Sequence, residues 1–189
     1  MEISSAEREV ILRAHAGDAA AYATLVGDHQ EAVFRAAYLM LRDAQAAEDV
    51  AQEAFIRAYQ HLNDFRDDSA FRPWILRIAT NLALNQLRSR GRRRSLVERL
   101  GGRRQETQAP ADDTVVSTDE ARRVWDAINR LGPDDRLILY LRYFLEQSEE
   151  DMARIIGKAP GTVKSRLHRA GRRLRDVIER DFPELRWEL

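Results

Sequence analysis

Between Asp18 and Arg90 the apolar positions keep a helical rhythm: Phe34, Tyr38 and Leu41 recur at intervals of four and three, and Val50, Ala54 and Ala58 at intervals of four. Proline is absent until Pro73, and no alternating Val/Ile/Thr run ends in a tight Asn-Gly turn. The pattern predicts an all-α fold. The stretch "NDFRDDSAFRPW", Asn63 to Trp74, reads as a loop feeding a helix, with Ser69 as its N-cap. That helix, "RPWILRIATNLALNQLR", carries Trp74, Ile78 and Leu82 on one stripe and ends in "SRGRRR".

From Arg92 the character changes to glycines, a proline and small polar residues without helical period, which marks a linker. Periodicity resumes in "DEARRVWDAINRLGPDDRLILYLRYFLEQ", two helices broken at Gly132-Pro133, the second opening on Asp134 and Asp135, where negative charge suits a helix N-terminus. In "SEEDMARIIG", Ser148 and Asp151 make a start resembling a capping box and Gly157 a C-terminal stop, while Pro160 suits the first turn of a last helix reaching to about Arg180. The expected organisation is an N-terminal segment 1–19, a helical domain 20–94, a flexible linker 95–120, a second helical domain 121–182 that is a helix-turn-helix, and a tail 183–189.

Composition narrows the chemistry. The 189 residues include no cysteine, and His15, His29, His61 and His168 are scattered, so neither a disulfide nor a metal site is expected. The N-terminus has no signal-peptide core and no segment approaches a membrane span, which predicts a cytoplasmic protein. Formal net charge is zero, yet "GTVKSRLHRAGRRLR", Gly161 to Arg175, contains no acid. That local imbalance fits a polyanion.

Three constellations follow. On the last helix Val163, Leu167, Ala170 and Leu174 share an arc, with Ser165, His168, Arg169 and Arg172 opposite. The preceding short helix and Pro-Gly entry favour a DNA-reading helix over a solvated cationic face, with Lys164, Ser165, Arg166, His168 and Arg169 toward base edges and Arg172, Arg173 and Arg175 toward phosphate. From Arg72 to Arg104 the arginines meet a single acid, Glu98, beside Phe65, Phe71 and Trp74 and the amides Asn81 and Asn85. That mixture suits single-stranded DNA. It is equally compatible with Phe71 and Trp74 as core and "RGRRR" as a solvated helix end. The third, "RDAQAAEDVAQEAF", holds Asp43, Glu48, Asp49 and Glu53, with Glu48, Gln52 and Phe55 able to share a face; it suits a basic protein partner or plain solvent.

In this order and spacing the parts resemble the bacterial RNA polymerase sigma factors of the sigma-70 family, within them the small extracytoplasmic-function (ECF) group. The resemblance rests on "AEDVAQEAFIRAY", "FRDDSAFRPWILRIATNLALNQLR" and "RGRRR" in the first domain, and on "LGPDDRLILYLRYFLEQSEEDMARIIG" and "GTVKSRLHRAGRRLR" in the second. It implies that Glu48, Asp49, Gln52, Glu53 and Phe55 bind core RNA polymerase, through its beta and beta-prime subunits. It implies that Phe65, Ser69, Phe71, Trp74, Arg77, Asn81, Asn85 and Arg88 open and read the promoter −10 element as a single strand. Arg142, Glu149, Glu150, Thr162, Lys164, Ser165, Arg166, His168, Arg169 and Arg172 then read the −35 element as duplex. An anti-sigma factor is the implied regulator, and neither cofactor nor small-molecule substrate is implied.

Two departures stand out: Asn85 replaces an Asp common in the family, and Ala159 is a weak N-cap that costs the recognition helix about 0.5–2 kcal/mol. A linker of about 25 residues spans ~80–90 Å only when extended, enough for elements on the order of 70 Å apart if polymerase holds it so. Its acids Asp112, Asp113 and Asp119 would then mimic nucleic-acid charge inside the enzyme. No nucleophile elbow, phosphate loop or metal motif is present, so no enzyme is expected. The competing readings are a two-domain regulator of duplex DNA that does not act as a polymerase subunit, and a helical protein-binding adaptor.

Overall fold

Ser4 opens the first helix, α1 (Ser5–His15), its hydroxyl accepting from the Glu7 backbone N–H at 3.0 Å. The computed structural model describes residues 4–65, 70–99 and 119–185, with the backbone alone for 93–99, 120 and 121. The expected N-cap Ser69, the acids Asp112 and Asp113 and the body of the expected linker, 100–118, lie outside the described residues. Every regular element described is helical.

The first unit holds α1, α2 (Ala19–Leu41), α3 (Ala44–Gln60) and, as far as Arg90, α4 (Phe71–Arg99). Asp18 caps α2 by accepting from Ala20 and Ala21 N–H, and Asp43 caps α3 by accepting from Ala46 N–H. Arg13 donates twice to Asp18, and this pairing, before the two backbone donors, holds the Asp18 carboxyl below the usual carboxylate range. The packing is alanine-rich. Ala36, Ala37, Ala47, Ala54 and Ala58 are buried along α2 and α3, and side chains this small let helix backbones approach closely. Tyr22 on α2 donates its hydroxyl to the Phe55 carbonyl of α3 at 2.5 Å, and burial pushes the phenol up to about 12.

Three expectations change here. The segment set apart as 1–19 contains α1, which packs on α2 and buries Ile11 and Ala14. The basic helix end does not stop at "SRGRRR": α4 continues through it to Arg99, because arginine is a good helix former and one Gly91 costs only about 1 kcal/mol. Nor is its buried stripe the expected one. Phe71, Ile75, Leu76, Ala79 and Ala83 are buried, whereas Trp74, Ile78 and Leu82 are half-buried. Alanines at 79 and 83 mark where α4 meets its neighbours, a signal that a search for large apolar residues passes over.

The second unit holds α5 (Asp119–Asn129), α6 (Pro133–Tyr143), α7 (Glu149–Ile156) and α8 (Pro160–Asp181). Trp125 of α5 packs its ring on Phe144 and Tyr140, at centroid distances of 4.6 and 5.5 Å. Helix α8 lies against α5 and α6 and buries Val163, Ala170 and Val177. Beyond it Pro183–Leu185 forms a short 3-10 turn whose Leu185 is buried, so the start of the expected tail belongs to the fold. Ser148 accepts from Asp151 N–H at 3.1 Å and donates its hydroxyl to the Asp151 carboxylate, fulfilling the expected cap of α7. Gly157 takes φ +68, the left-handed conformation that ends the helix, and α8 then starts at Pro160 after Ala159, which makes no side-chain cap.

Candidate nucleic-acid interface

On α4, Trp74, Arg77, Asn81, Asn85 and Arg88 recur at intervals of three and four, which brings them within an arc of about 80°. Trp74 is half-buried and the other four are exposed, with Arg92 next on the same stripe. The stripe offers one aromatic edge, two amides and three guanidinium groups in a row. Amides can pair with an unpaired base edge and guanidiniums with phosphate, so the row can follow a single strand.

Phe65 and Phe71 differ from expectation. They are only 5% and 0% exposed, because each finds ring partners: their centroids lie 5.7 Å apart and 4.9 and 5.5 Å from Trp74. His15 of α1 adds an edge contact to Phe65, and His29 of α2 stacks on Phe71 at 5.3 Å with planes 30° apart. Their faces are consumed by one another; they buttress Trp74 and offer no stacking platform. Burial holds the His29 imidazole below its ordinary value, against an opposing pull from the carboxylate of Glu7.

Residue 70 is alanine and has no side-chain oxygen with which to cap α4. The Phe71 N–H instead donates to Glu7 Oε1 of α1 at 3.2 Å, across 64 residues of chain. Glu7, His29 and Arg92 were not among the expected site residues. The missing oxygen at Ala70 was the available signal.

On α3, Glu48 and Gln52 face the same way as Phe55 and Ile56, and with Val26 and Phe34 of α2 they line an open groove of about 580 Å³. Ile56, in its lining, remains 54% exposed. Phe55 is buried at the groove floor, Asp49 is exposed, and Glu53 is held by Arg57 at 2.6 Å. The sequence placed an acidic strip here; the structure adds an apolar floor. A basic amphipathic helix fits that combination.

In the second unit Thr162, Lys164, Ser165, His168, Arg169 and Arg172 of α8 are exposed, opposite buried Val163 and Ala170. Ser165 donates to the Thr162 carbonyl and Arg169 Nε to the Ser165 carbonyl. Arg166 is displaced from the expected set: it sits on the flank facing α6, half-buried and 3.6 Å from Asp134 Oδ1. Seven residues on, Arg173 is held by Asp135. Arg142 ends α6 by donating to the Gln147 carbonyl at 3.3 Å, just ahead of Glu149 and Glu150 in the first turn of α7. An exposed cationic helix face above a short helix and a turn is the arrangement by which a helix enters a major groove. No helix among the described residues is long and apolar enough to cross a membrane.

Comparison with known proteins accords with this geometry. Residues 25–93 match the family described as sigma-70 region 2, and residues 121–174 the family described as sigma-70 region 4. The chain is 37% identical over 187 residues to the RNA polymerase sigma-H factor of Pseudomonas aeruginosa, covering 95% of each chain. It is 34% identical to the ECF RNA polymerase sigma factor SigW of Bacillus subtilis, covering 86% of this chain and 91% of the relative. Among solved structures it resembles CnrH in complex with the cytosolic domain of CnrY, with a TM-score of 0.69, 26% identity and coverage of 94% and 99%. It also resembles the sigma factor RpoE of Bartonella quintana in complex with the anti-sigma factor NepR, with a TM-score of 0.66, 29% identity and coverage of 85% and 98%. With both region families in order and relatives matched over nearly the whole length, this chain belongs to the ECF group of bacterial RNA polymerase sigma factors.

Proposed function

We propose that the chain binds core RNA polymerase through the groove and acidic strip of α2 and α3, and directs initiation by dividing promoter recognition between its two units. Glu48, Asp49, Gln52 and Glu53 supply charge and polar contacts to a basic helix of the beta or beta-prime subunit, and Phe55 with Ile56 supplies apolar area. The α4 stripe takes the unpaired strand of the −10 element: Trp74 blocks restacking, Arg77, Asn81 and Asn85 meet base and backbone, and Arg88 meets phosphate. Phe65 and Phe71 act from beneath by supporting Trp74. On the duplex −35 element, Lys164, Ser165, His168 and Arg169 meet base edges, while Thr162, Arg172 and Arg142 meet phosphate and Glu149 and Glu150 set the entry of α7.

The observation that carries this reading is the α4 stripe: an aromatic, two amides and arginines on one face of one helix, in the unit that also carries an acid-rimmed apolar groove. A chain so built performs no bond chemistry; the polymerase supplies it. It works in the cytoplasm, where promoter and polymerase are. An anti-sigma protein covering these faces is the expected regulator, as two structural relatives were solved with such partners or with a cytosolic domain. Residues 100–118, between α4 and α5, join the units along the polymerase.

The test is pull-down with core polymerase from the same bacterium followed by run-off transcription on a promoter library. Accurate starts that depend on the added chain support the reading. A chain that binds operators tightly alone yet never supports initiation returns the role of duplex regulator.

A further inference from the structure

The N-terminus of a helix leaves backbone donors that a side-chain oxygen one residue earlier commonly satisfies. In α4 that position is Ala70, and the acceptor is supplied from elsewhere: Glu7, in the first turn of α1, takes the Phe71 N–H at 3.2 Å. A carboxylate is well suited to this place, since it also meets the positive end of the helix dipole. A third helix adjoins the pair: His29 Nε2 of α2 lies 4.0 Å from the same oxygen while the His29 ring lies on the Phe71 ring. Its side chain is 27% exposed and that of His29 14%. The start of α4 is thus joined to α1 by a hydrogen bond and to α2 by a ring stack. One turn along α4 stands Trp74, resting on Phe71 and Phe65, and the reading stripe runs on from it.

We propose that Glu7 is a positioning residue for promoter opening: by capping α4 from α1, it sets the orientation of the first two turns, which carry Trp74 and Arg77. The proposal rests on the strand-binding role of α4 given above. It assigns to α1, which carries none of the expected contacts, a part in reading the promoter. The acceptor oxygen does the work. Glutamine keeps that oxygen and alanine removes it, so Glu7→Gln retains the positioning and Glu7→Ala loses it.

The experiment compares wild type, Glu7→Gln and Glu7→Ala, each bound to core polymerase from the same bacterium. Permanganate reactivity of unpaired thymines is followed on a duplex promoter and on one already melted at the −10 element, alongside affinity for core enzyme and amide exchange at Phe71. Glu7→Ala should open the duplex about five- to tenfold more slowly, in keeping with a lost helix cap, and should show faster Phe71 exchange. It should match wild type on the melted template and in core affinity, and Glu7→Gln should stay within about twofold of wild type throughout. Opening by Glu7→Ala at the wild-type rate overturns the proposal, as does an equal deficit on the melted template or a Gln variant no better than Ala. A wild-type chain that opens no promoter overturns the initiation reading instead, and the two failures are thereby distinct.

Discussion

Asp135 at the start of α6 accepts two hydrogen bonds from Arg173 Nη1 of α8, at 2.8 and 2.7 Å, so one guanidinium of the basic helix is tied to the protein's own carboxylate. Asp135 is 19% exposed and Arg173 54%, a geometry that holds the arginine against α6 and away from the outer face. Neutralising the acid should release the cation. Asp135→Asn should raise affinity for any duplex and steepen the dependence of binding on salt by about one counterion. Fluorescence anisotropy across a salt series on matched and scrambled sequences measures this; an unchanged slope means that Arg173 already reaches phosphate.

Arg169 and Arg172 both project from the exposed face of α8, yet they should behave differently. Arg169→Ala should cost about 1–3 kcal/mol on the matched −35 sequence and little elsewhere if it pairs with a guanine edge. Arg172→Ala should weaken all sequences alike and lower the salt slope by about one. Competition binding of holoenzyme on point-substituted promoters separates the two patterns. Uniform loss for both variants would reduce Arg169 to a phosphate contact.

Charge on α3 should matter to polymerase and not to folding. Glu48 and Asp49 are exposed, so reversing both to lysine removes attraction for a basic partner without disturbing the buried Val50, Ala54 and Ala58 behind them. Core affinity should fall by about tenfold or more, most at low salt, with the helical circular-dichroism spectrum retained. Unaltered affinity would leave these acids as a solvated surface.

Asp181, at the end of α8, is held down from 3.8 to about 2, first by the hydrogen bond from Arg180 and then by that from Arg130, 2.6 Å away on the α5 side. Because the folded value lies below the unfolded one, its stabilising contribution is present above the unfolded pKa and lost as pH falls through the folded one. The gap in urea midpoint between wild type and Asp181→Asn should therefore hold from neutral pH down to about 4 and close toward 2. A gap that stays constant in acid would show that the ion pairs contribute nothing.

Ala79 has no exposed surface on α4, whereas Leu82 is half-buried on the same helix. Ala79→Leu should overpack the core and cost about 1–3 kcal/mol in urea unfolding, more than Leu82→Ala despite the larger atom loss in the latter. The reverse order would restore the large apolar residues as the packing stripe.

What the sequence determined by itself is local. The all-α fold follows from period and from the absence of strand signals. The helix-turn-helix follows from punctuation within a few residues: Ser148 capping α7, Gly157 at φ +68, and Pro160 opening α8. The resemblance of the ordered motifs to the sigma factors was equally legible, since family motifs are strings. So was the exposed face of α8, because one helix with a single apolar arc leaves its opposite side to solvent.

The tertiary structure decided what depends on residues distant in the chain. Phe65 and Phe71 bear aromatic faces in the sequence, but only their meeting with each other and with His15, His29 and Trp74 shows those faces to be spent. Arg166 and Arg173 look as available as Arg169 until α6 folds beside them and brings Asp134 and Asp135 within ion-pair reach. Glu7 has no periodic reason to touch Phe71, 64 residues on. Propensity and pattern act over a helical turn or two, while electrostatic pairing and burial act through space; the chain's own order carries the first, and only the packed helices carry the second.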